Sequence, residues 1–143
     1  DAPQTISRLM NMGIAPYNIT SSVTLVIAQR LARRLHDCKR EMVLPEAALL
    51  AEGFTAEDVK AGIRLYEAVG CSDCNEGYKG RVGIYQVMPM SEEIQKIILQ
   101  GGNVLQIGEA AIRSGVNDLR RSALLKASVG MTSLAEINRV TKD

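Results

Sequence analysis

Tryptophan is absent from this chain of 143 residues, and one Phe with four Tyr holds the aromatic share to 3%. Any core must therefore be aliphatic, and a 46% apolar content suffices for one domain, or a small domain carrying a sub-module. An excess of one charge is lacking too. Seventeen Lys and Arg oppose sixteen Asp and Glu, a net of +1, so no whole-protein field favours nucleic acid or an anionic membrane. Few aromatics also means few platforms on which bases can stack. No apolar run approaches the ~20 residues of a membrane-spanning helix, and nothing reads as a signal peptide. Three cysteines, an odd number, argue against a disulfide framework and for the cytoplasm.

Catalytic signatures are missing as well. There is no Gly-x-x-x-x-Gly-Lys-Ser/Thr to cradle phosphates, no His-Glu-x-x-His and no Gly-x-Ser-x-Gly. Only one histidine exists, so a Ser–His or Cys–His couple would have to use His36. Catalysis by this chain alone is not expected. Its opening Asp1-Ala2-Pro3, without an initiator Met, is what an excised fragment would show.

What is present reads as an α/β chain, mostly α. Ile6, Leu9, Met10 and Met12 form a helical stripe stopped by Gly13 and Pro16, with Thr20 to Ser22 as a cap for the next element. Val23 to Leu35 fits a helix or a strand equally by spacing. Pro45 opens a short helix ended by Gly53, Thr55 to Asp58 reads as a capping motif, and Ile63 to Val69 as a brief strand. Val82 to Met88, between Gly80 and Pro89, is the best strand and is expected to be buried on both faces. From Ser91 onward, glycines at 101, 102, 115 and 130 punctuate about four short amphipathic helices, the last capped by Thr132.

Two cysteines fall together in Cys71-Ser-Asp-Cys74, with Gly77 behind them. Thiolates at i and i+3 across a small turn grip one ion, the recurrent half of a zinc site. The other half must come from His36 and Cys38, which share one side of an extended segment, with Asp37 a weaker stand-in. An inert reduced pair with a surface histidine is the bland alternative. A redox role fits less well, because the pair lacks a strand-to-helix setting. Closing the loop from Cys38 to Cys71 would let zinc fold an insert too small for its own core. Arg30, Arg33, Arg34, Lys39 and Arg40 concentrate positive charge, either as a solvated face or as a contact for phosphate or an acidic partner.

Four stretches carry a resemblance: DAPQTISRLMNMGIAPYNI, SSVTLVIAQRLARRL, CNEGYKGRVGIYQVMPMSEEIQKII and GVNDLRRSALLKASVGMTSLAEINRVTKD. Together they resemble the C-terminal part of the type IV pilus assembly (extension) ATPases, within the type II/IV secretion ATPase family, and cover essentially the whole chain. The resemblance implies the tail of a RecA-like nucleotide domain at 1–35, a cysteine-bearing insert at 36–78, a core strand at 79–90 and a helical subdomain at 91–143. It implies a parent that is a hexameric ATPase using ATP and Mg at the inner-membrane face, with its Walker, aspartate-box and histidine-box motifs upstream. It makes Ile27 to Leu35 a core strand. Arg30 and Arg81 become contacts to nucleotide or a neighbouring subunit, and the implied partners are other subunits, a PilZ-type regulatory adaptor and an inner-membrane platform protein. The family shows two Cys-x-x-Cys pairs, whereas here His36-Asp37-Cys38 replaces the first, so the expected ligands are Cys38, Cys71, Cys74 and His36. A stand-alone zinc-stabilised interaction module is the alternative reading. A zinc-ribbon nucleic-acid binder is disfavoured by charge and aromatic content.

Overall fold

The computed structural model describes residues 1–142. Eight helices and four strands occur among them, and they group into two compact units.

Unit 1 joins Asp1–Gln29 to Tyr85–Asp118. Its first helix, α1 (Ala2–Asn11), begins at Asp1, whose carboxylate accepts from the Gln4 N–H at 2.8 Å in a closed capping box. Then come α2 (Pro16–Ser22) and, later in the chain, α5 (Glu92–Leu99) and α6 (Val104–Arg113). Ile6, Ile19, Val26, Met88, Ile94, Ile98 and Ile107 meet in one aliphatic core, as the shortage of aromatics requires. Gln86, buried beside this core, accepts from the Ala2 N–H at 2.9 Å, so its burial leaves no polar group stranded. Thr20 and Ser21 do not cap the following element. They lie in the last turn of α2, where their hydroxyls donate back to the Tyr17 carbonyl.

The ambiguous stretch resolves as strand β1 (Leu25–Leu35). It pairs with β4 (Tyr78–Pro89), the strand expected at Val82 to Met88 and longer than its apolar run suggested. In unit 1 the Met90 N–H donates to the Thr24 carbonyl at 3.0 Å, and the Gln29 amide donates to the Tyr85 hydroxyl at 3.3 Å. These partners run in opposite directions along the two strands, which makes the ribbon antiparallel. Burial on both faces is not observed. Ile84 and Met88 are fully buried, but Tyr85 and Val87 are each 47% exposed. An antiparallel ribbon covered on one side alternates in this way.

Unit 2 comprises Arg30–Ile84 and the chain from Leu119 onward. Within it, β2 (Arg40–Met42) pairs antiparallel with β3 (Leu65–Glu67), Arg40 standing opposite Glu67. Between them, α3 (Glu46–Glu52) stops at left-handed Gly53, and α4 (Ala56–Ala61) starts from a capping box between Thr55 and Asp58. The last two helices are α7 (Leu119–Ala127) and α8 (Leu134–Thr141). The helices expected after Ser91 therefore all form; α5 and α6 belong to unit 1, and α7 and α8 to unit 2.

α8 is capped by Ser133, not Thr132: the Glu136 N–H donates to Ser133 Oγ at 3.2 Å. Thr132 instead donates to the Arg33 carbonyl at 2.8 Å, and the Leu35 N–H donates to the Met131 carbonyl at 3.0 Å. At Arg33 and Leu35 the free edge of β1 thus finds partners in residues 131–136 rather than in another strand.

Candidate metal centre

β1 ends at Leu35, and the chain reverses in a tight turn in which the Lys39 N–H donates to the His36 carbonyl at 3.0 Å. This turn, rather than an extended segment, brings His36 and Cys38 to the same place. β4 begins at Tyr78, directly behind the Cys71–Cys74 loop, and the His36 N–H donates to the Gly77 carbonyl at 2.9 Å. Pairing of β1 and β4 therefore sets the two ligand pairs side by side although 33 positions separate Cys38 from Cys71 in sequence.

Gly77 is required for this junction. Its φ is +96°, and a Cβ there would sit 2.5 Å from the Ala68 Cβ and 2.9 Å from the Val69 N. Glu76, just before it, is the one non-glycine residue with positive φ among the described residues, at 55°.

All four expected ligands converge. One donor atom from each of His36, Cys38, Cys71 and Cys74 lies within 4.8 Å of every other. Cys71 Sγ is 3.5 Å from Cys74 Sγ and 3.4 Å from His36 Nδ1, and Cys38 Sγ is 3.8 Å from Cys74 Sγ. Metal–sulfur bonds of about 2.3 Å in a tetrahedron place sulfurs about 3.8 Å apart, and a ring nitrogen about 3.6 Å from each sulfur. Three of the six donor separations thus match a tetrahedral site and the others stay within 4.8 Å, so the set can hold one metal ion. Asp37 is exposed and outside the cluster.

Backbone amides complete the knuckle. The Cys71 N–H donates to Cys74 Sγ at 3.3 Å, and the Asp73 N–H to Cys71 Sγ at 3.4 Å. Burial pushes the Cys74 thiol up, but hydrogen bonds from Cys71 and from the Gly77 N–H outweigh it and hold the group below its ordinary value. For Cys71 the Asp73 amide favours the thiolate, yet the adjacent Cys74 and Cys38 thiols prevail and raise it. Three thiols this close resist ionising together without a cation among them.

Arg30 and Arg81 take no part in this cluster. Both are exposed on the ribbon, and neither forms an ion pair among the described residues.

Beside the knuckle lies a network that sequence reasoning did not anticipate. The Glu136 side chain is buried, at 1% exposure, and its carboxylate accepts five hydrogen bonds. Arg33 supplies its backbone N–H at 2.7 Å and two guanidinium bonds at 3.0 and 2.8 Å; Arg139 supplies two more at the same lengths. The Arg139 guanidinium leads in holding Glu136 down to about 2, against burial, with Arg33 adding to it. Arg33 also stacks 4.2 Å over the Tyr78 ring, whose hydroxyl shares a 2.7 Å hydrogen bond with Ser133. A visible signal existed: Ser133-x-x-Glu136 is a capping-box pattern, and Glu136 and Arg139 stand at i, i+3. In the fold Glu136 turns away from its own helix start to serve β1.

Residues 1–139 match the family model described as "Type II/IV secretion system protein". The chain is 56% identical, over its full length, to the type IV pilus assembly ATPase PilB of Acinetobacter baylyi, and 52% identical over 99% of its length to PilB of Pseudomonas aeruginosa. To the type II secretion system protein E of Aeromonas hydrophila it is 36% identical over 96% of its length. It spans 25%, 25% and 27% of these curated relatives respectively. A family match running from the first residue to 139, carried by relatives this similar, shows that the chain belongs to the type II/IV secretion system protein family.

Proposed function

We propose that this chain is the C-terminal, non-catalytic portion of a hexameric ATPase that powers type IV pilus assembly from the cytoplasmic face of the inner membrane. The observation that carries this reading is 56% identity, over the whole chain, to a pilus assembly ATPase. ATP and Mg act in the parent, whose nucleotide motifs this chain does not contain. No helix among the described residues is long and apolar enough to cross a membrane. The piece serves subunit packing and the docking of a PilZ-type adaptor and the inner-membrane platform protein, with Arg30 and Arg81 as contacts to nucleotide or a neighbouring subunit. On this reading 1–35 and 79–90 belong to a RecA-like core, 36–78 is the inserted metal loop and 91–143 the helical subdomain. In support, Leu25 and Ile27 are 46% and 56% exposed on β1 beside Tyr85 and Val87, an apolar face that a further packed layer of the parent would cover.

His36, Cys38, Cys71 and Cys74 bind one structural zinc ion. A three-sulfur, one-nitrogen donor set gathered within 4.8 Å suits zinc, and four protein ligands leave no open position for chemistry. Bound there, zinc neutralises the crowded thiolates and fastens the two ends of the insert.

Two measurements test these readings. The parent should hydrolyse ATP and restore pili to a strain lacking its assembly ATPase, and should fail to do so without this segment; a parent inactive in both assays refutes the ATPase reading. Metal analysis should give about one zinc per chain, with Cys38→Ser losing most of it; a metal-free native protein with an unchanged melt refutes the zinc.

A further inference from the structure

The three sulfurs of the knuckle differ in access and in reach. Cys71 is exposed, whereas Cys38 and Cys74 are partly buried. Cys74 borders a cleft of about 510 Å³ that Arg33, Asp73, Tyr78 and Lys79 also line. Small reagents therefore reach Cys71 directly and Cys74 through the cleft. Cys74 Sγ is the sulfur common to the two short separations, 3.5 Å to Cys71 and 3.8 Å to Cys38. A bridge from Cys74 to Cys38 would tie residues 36 apart in sequence, while one to Cys71 ties residues 3 apart. The first would still hold the insert closed, and the second holds nothing outside its own turn.

We infer that Cys71 and Cys74 are a site of reversible oxidation by a hydroperoxide, and that closing their disulfide expels the metal and frees the knuckle from His36 and Cys38. This rests on the zinc reading above and goes beyond it. Exposure sets the order of events. The Cys71 thiolate attacks one peroxide oxygen, so that an S–O bond forms, the O–O bond breaks and hydroxide leaves. The Cys74 thiolate then attacks the Cys71 sulfenic acid, forming the S–S bond and releasing a second hydroxide. Two thiolates have given up two electrons, and the peroxide, with two protons, has become two waters. The pair lies in a loop ahead of β4 rather than at a helix start, so it is a target of oxidation and not a catalyst of thiol exchange.

Metal and disulfide exclude each other. A tetrahedral ion keeps two sulfurs about 3.8 Å apart, whereas a disulfide draws them to about 2.0 Å and removes both charges. His36 and Cys38 remain, half of a ligand set, and Cys38 stays a thiol because the cysteine count is odd. The loosening is local. Arg120 bonds to Glu52 at 2.8 Å and Arg121 to Asp58 at 2.9 Å, which keeps α3 and α4 on α7. Freed instead are residues 68–76, between the end of β3 and the start of β4.

Excess hydrogen peroxide added to the zinc-loaded chain tests this. Free thiols should fall from three to one, with about one zinc released to a chromophoric chelator for each bridge formed. Peptide mass mapping should find Cys71 joined to Cys74 and Cys38 open to alkylation. Amides of residues 68–76 should exchange with deuterium about tenfold faster, while those of β2 and β3 keep their rates. Dithiothreitol with added zinc should restore all three properties. Zinc and thiols that persist in peroxide, a bridge that uses Cys38, unchanged exchange at 68–76, or a change that dithiothreitol does not reverse would each overturn the assignment. A chain that holds zinc and ignores peroxide strikes this inference alone; a chain that takes up no zinc at the outset strikes the zinc reading with it.

Discussion

Replacing Glu136 with Gln keeps the shape of the side chain and removes its charge, which isolates what two guanidiniums gain from it. The carboxyl lies at about 2 in the folded chain against an ordinary 4.5, held down first by Arg139 and then by Arg33. At about 1.4 kcal/mol for each factor of ten, that difference sets a ceiling of about 3 kcal/mol. Arg33 and Arg139 are 47% and 55% exposed, so solvent screens their side of the pair and about 2 kcal/mol is the expected loss. For a chain of this size that corresponds to about 6 °C in Tm at pH 7.

The same substitution predicts a pH profile. A carboxyl depressed by folding contributes stability that is complete above its unfolded value of 4.5 and is lost as the pH falls towards about 2. Wild type and Glu136→Gln should therefore differ most at pH 7, converge below pH 4.5 and melt together near pH 2. Asp58 is likewise held low, by Arg121 and then by the Thr55 N–H, but it acts in both proteins and cancels from the difference. Calorimetric melts from pH 7 down to pH 2 read this directly. A gap that does not change with pH, or a Gln variant as stable as wild type at pH 7, would refute the assignment of Glu136 as an ionised anchor.

Two other substitutions probe the scaffold. Gly77→Ala places a Cβ 2.5 Å from that of Ala68 at a left-handed φ, and should cost about 3 kcal/mol while lowering metal occupancy; an unchanged melt and zinc content would show that the junction yields freely. Arg120 donates to Asn138 at 2.7 Å, to Thr141 at 3.1 Å and to the carbonyl and carboxylate of Glu52 at 2.7 and 2.8 Å. Arg120→Ala should lower stability in urea by about 2 kcal/mol, and Arg120→Lys should recover less than half, because a point charge cannot replace a fork reaching two elements; full recovery by Lys would contradict this.

The metal ligands were legible because their chemistry is scarce: three cysteines and one histidine leave almost no other combination. Helix ends after residue 91 were legible for a comparable reason, since glycines at 101, 115 and 130 all take the positive φ that a helix stop requires. Spacing alone left β1 open, because Ile27, Leu31 and Leu35 satisfy both periods; the family resemblance made it a strand, and the pairing with β4 shows that it is one. The two-sided burial expected of Val82 to Met88 failed because apolar content reports affinity for a core but not which neighbours are present to supply one. Thr132 and Ser133 are adjacent hydroxyls, both able to cap. Ser133 is selected by Arg33, whose carbonyl, 99 positions away in sequence, takes the Thr132 hydroxyl. Local patterns located the elements, whereas long-range partners assigned the roles.

The same division explains how half a cysteine motif still gathers four donors. An ordinary second Cys-x-x-Cys pair would place both sulfurs through a knuckle of its own, independently of anything beyond it. Here the first pair is one residue shorter, and its leading ligand is an imidazole. The ring nitrogen stands farther from its backbone than a cysteine sulfur does, and Nδ1 comes within 3.4 Å of Cys71 Sγ from the strand end itself. His36 is held there because its own N–H bonds to Gly77 at 2.9 Å and its carbonyl closes the turn to Lys39 at 3.0 Å. His36 and Gly77, on either side of the cluster, are thus joined where the β1–β4 ladder ends. A longer side chain just beyond the strand end thus brings a fourth donor to the cluster where a second Cys-x-x-Cys pair would bring a sulfur.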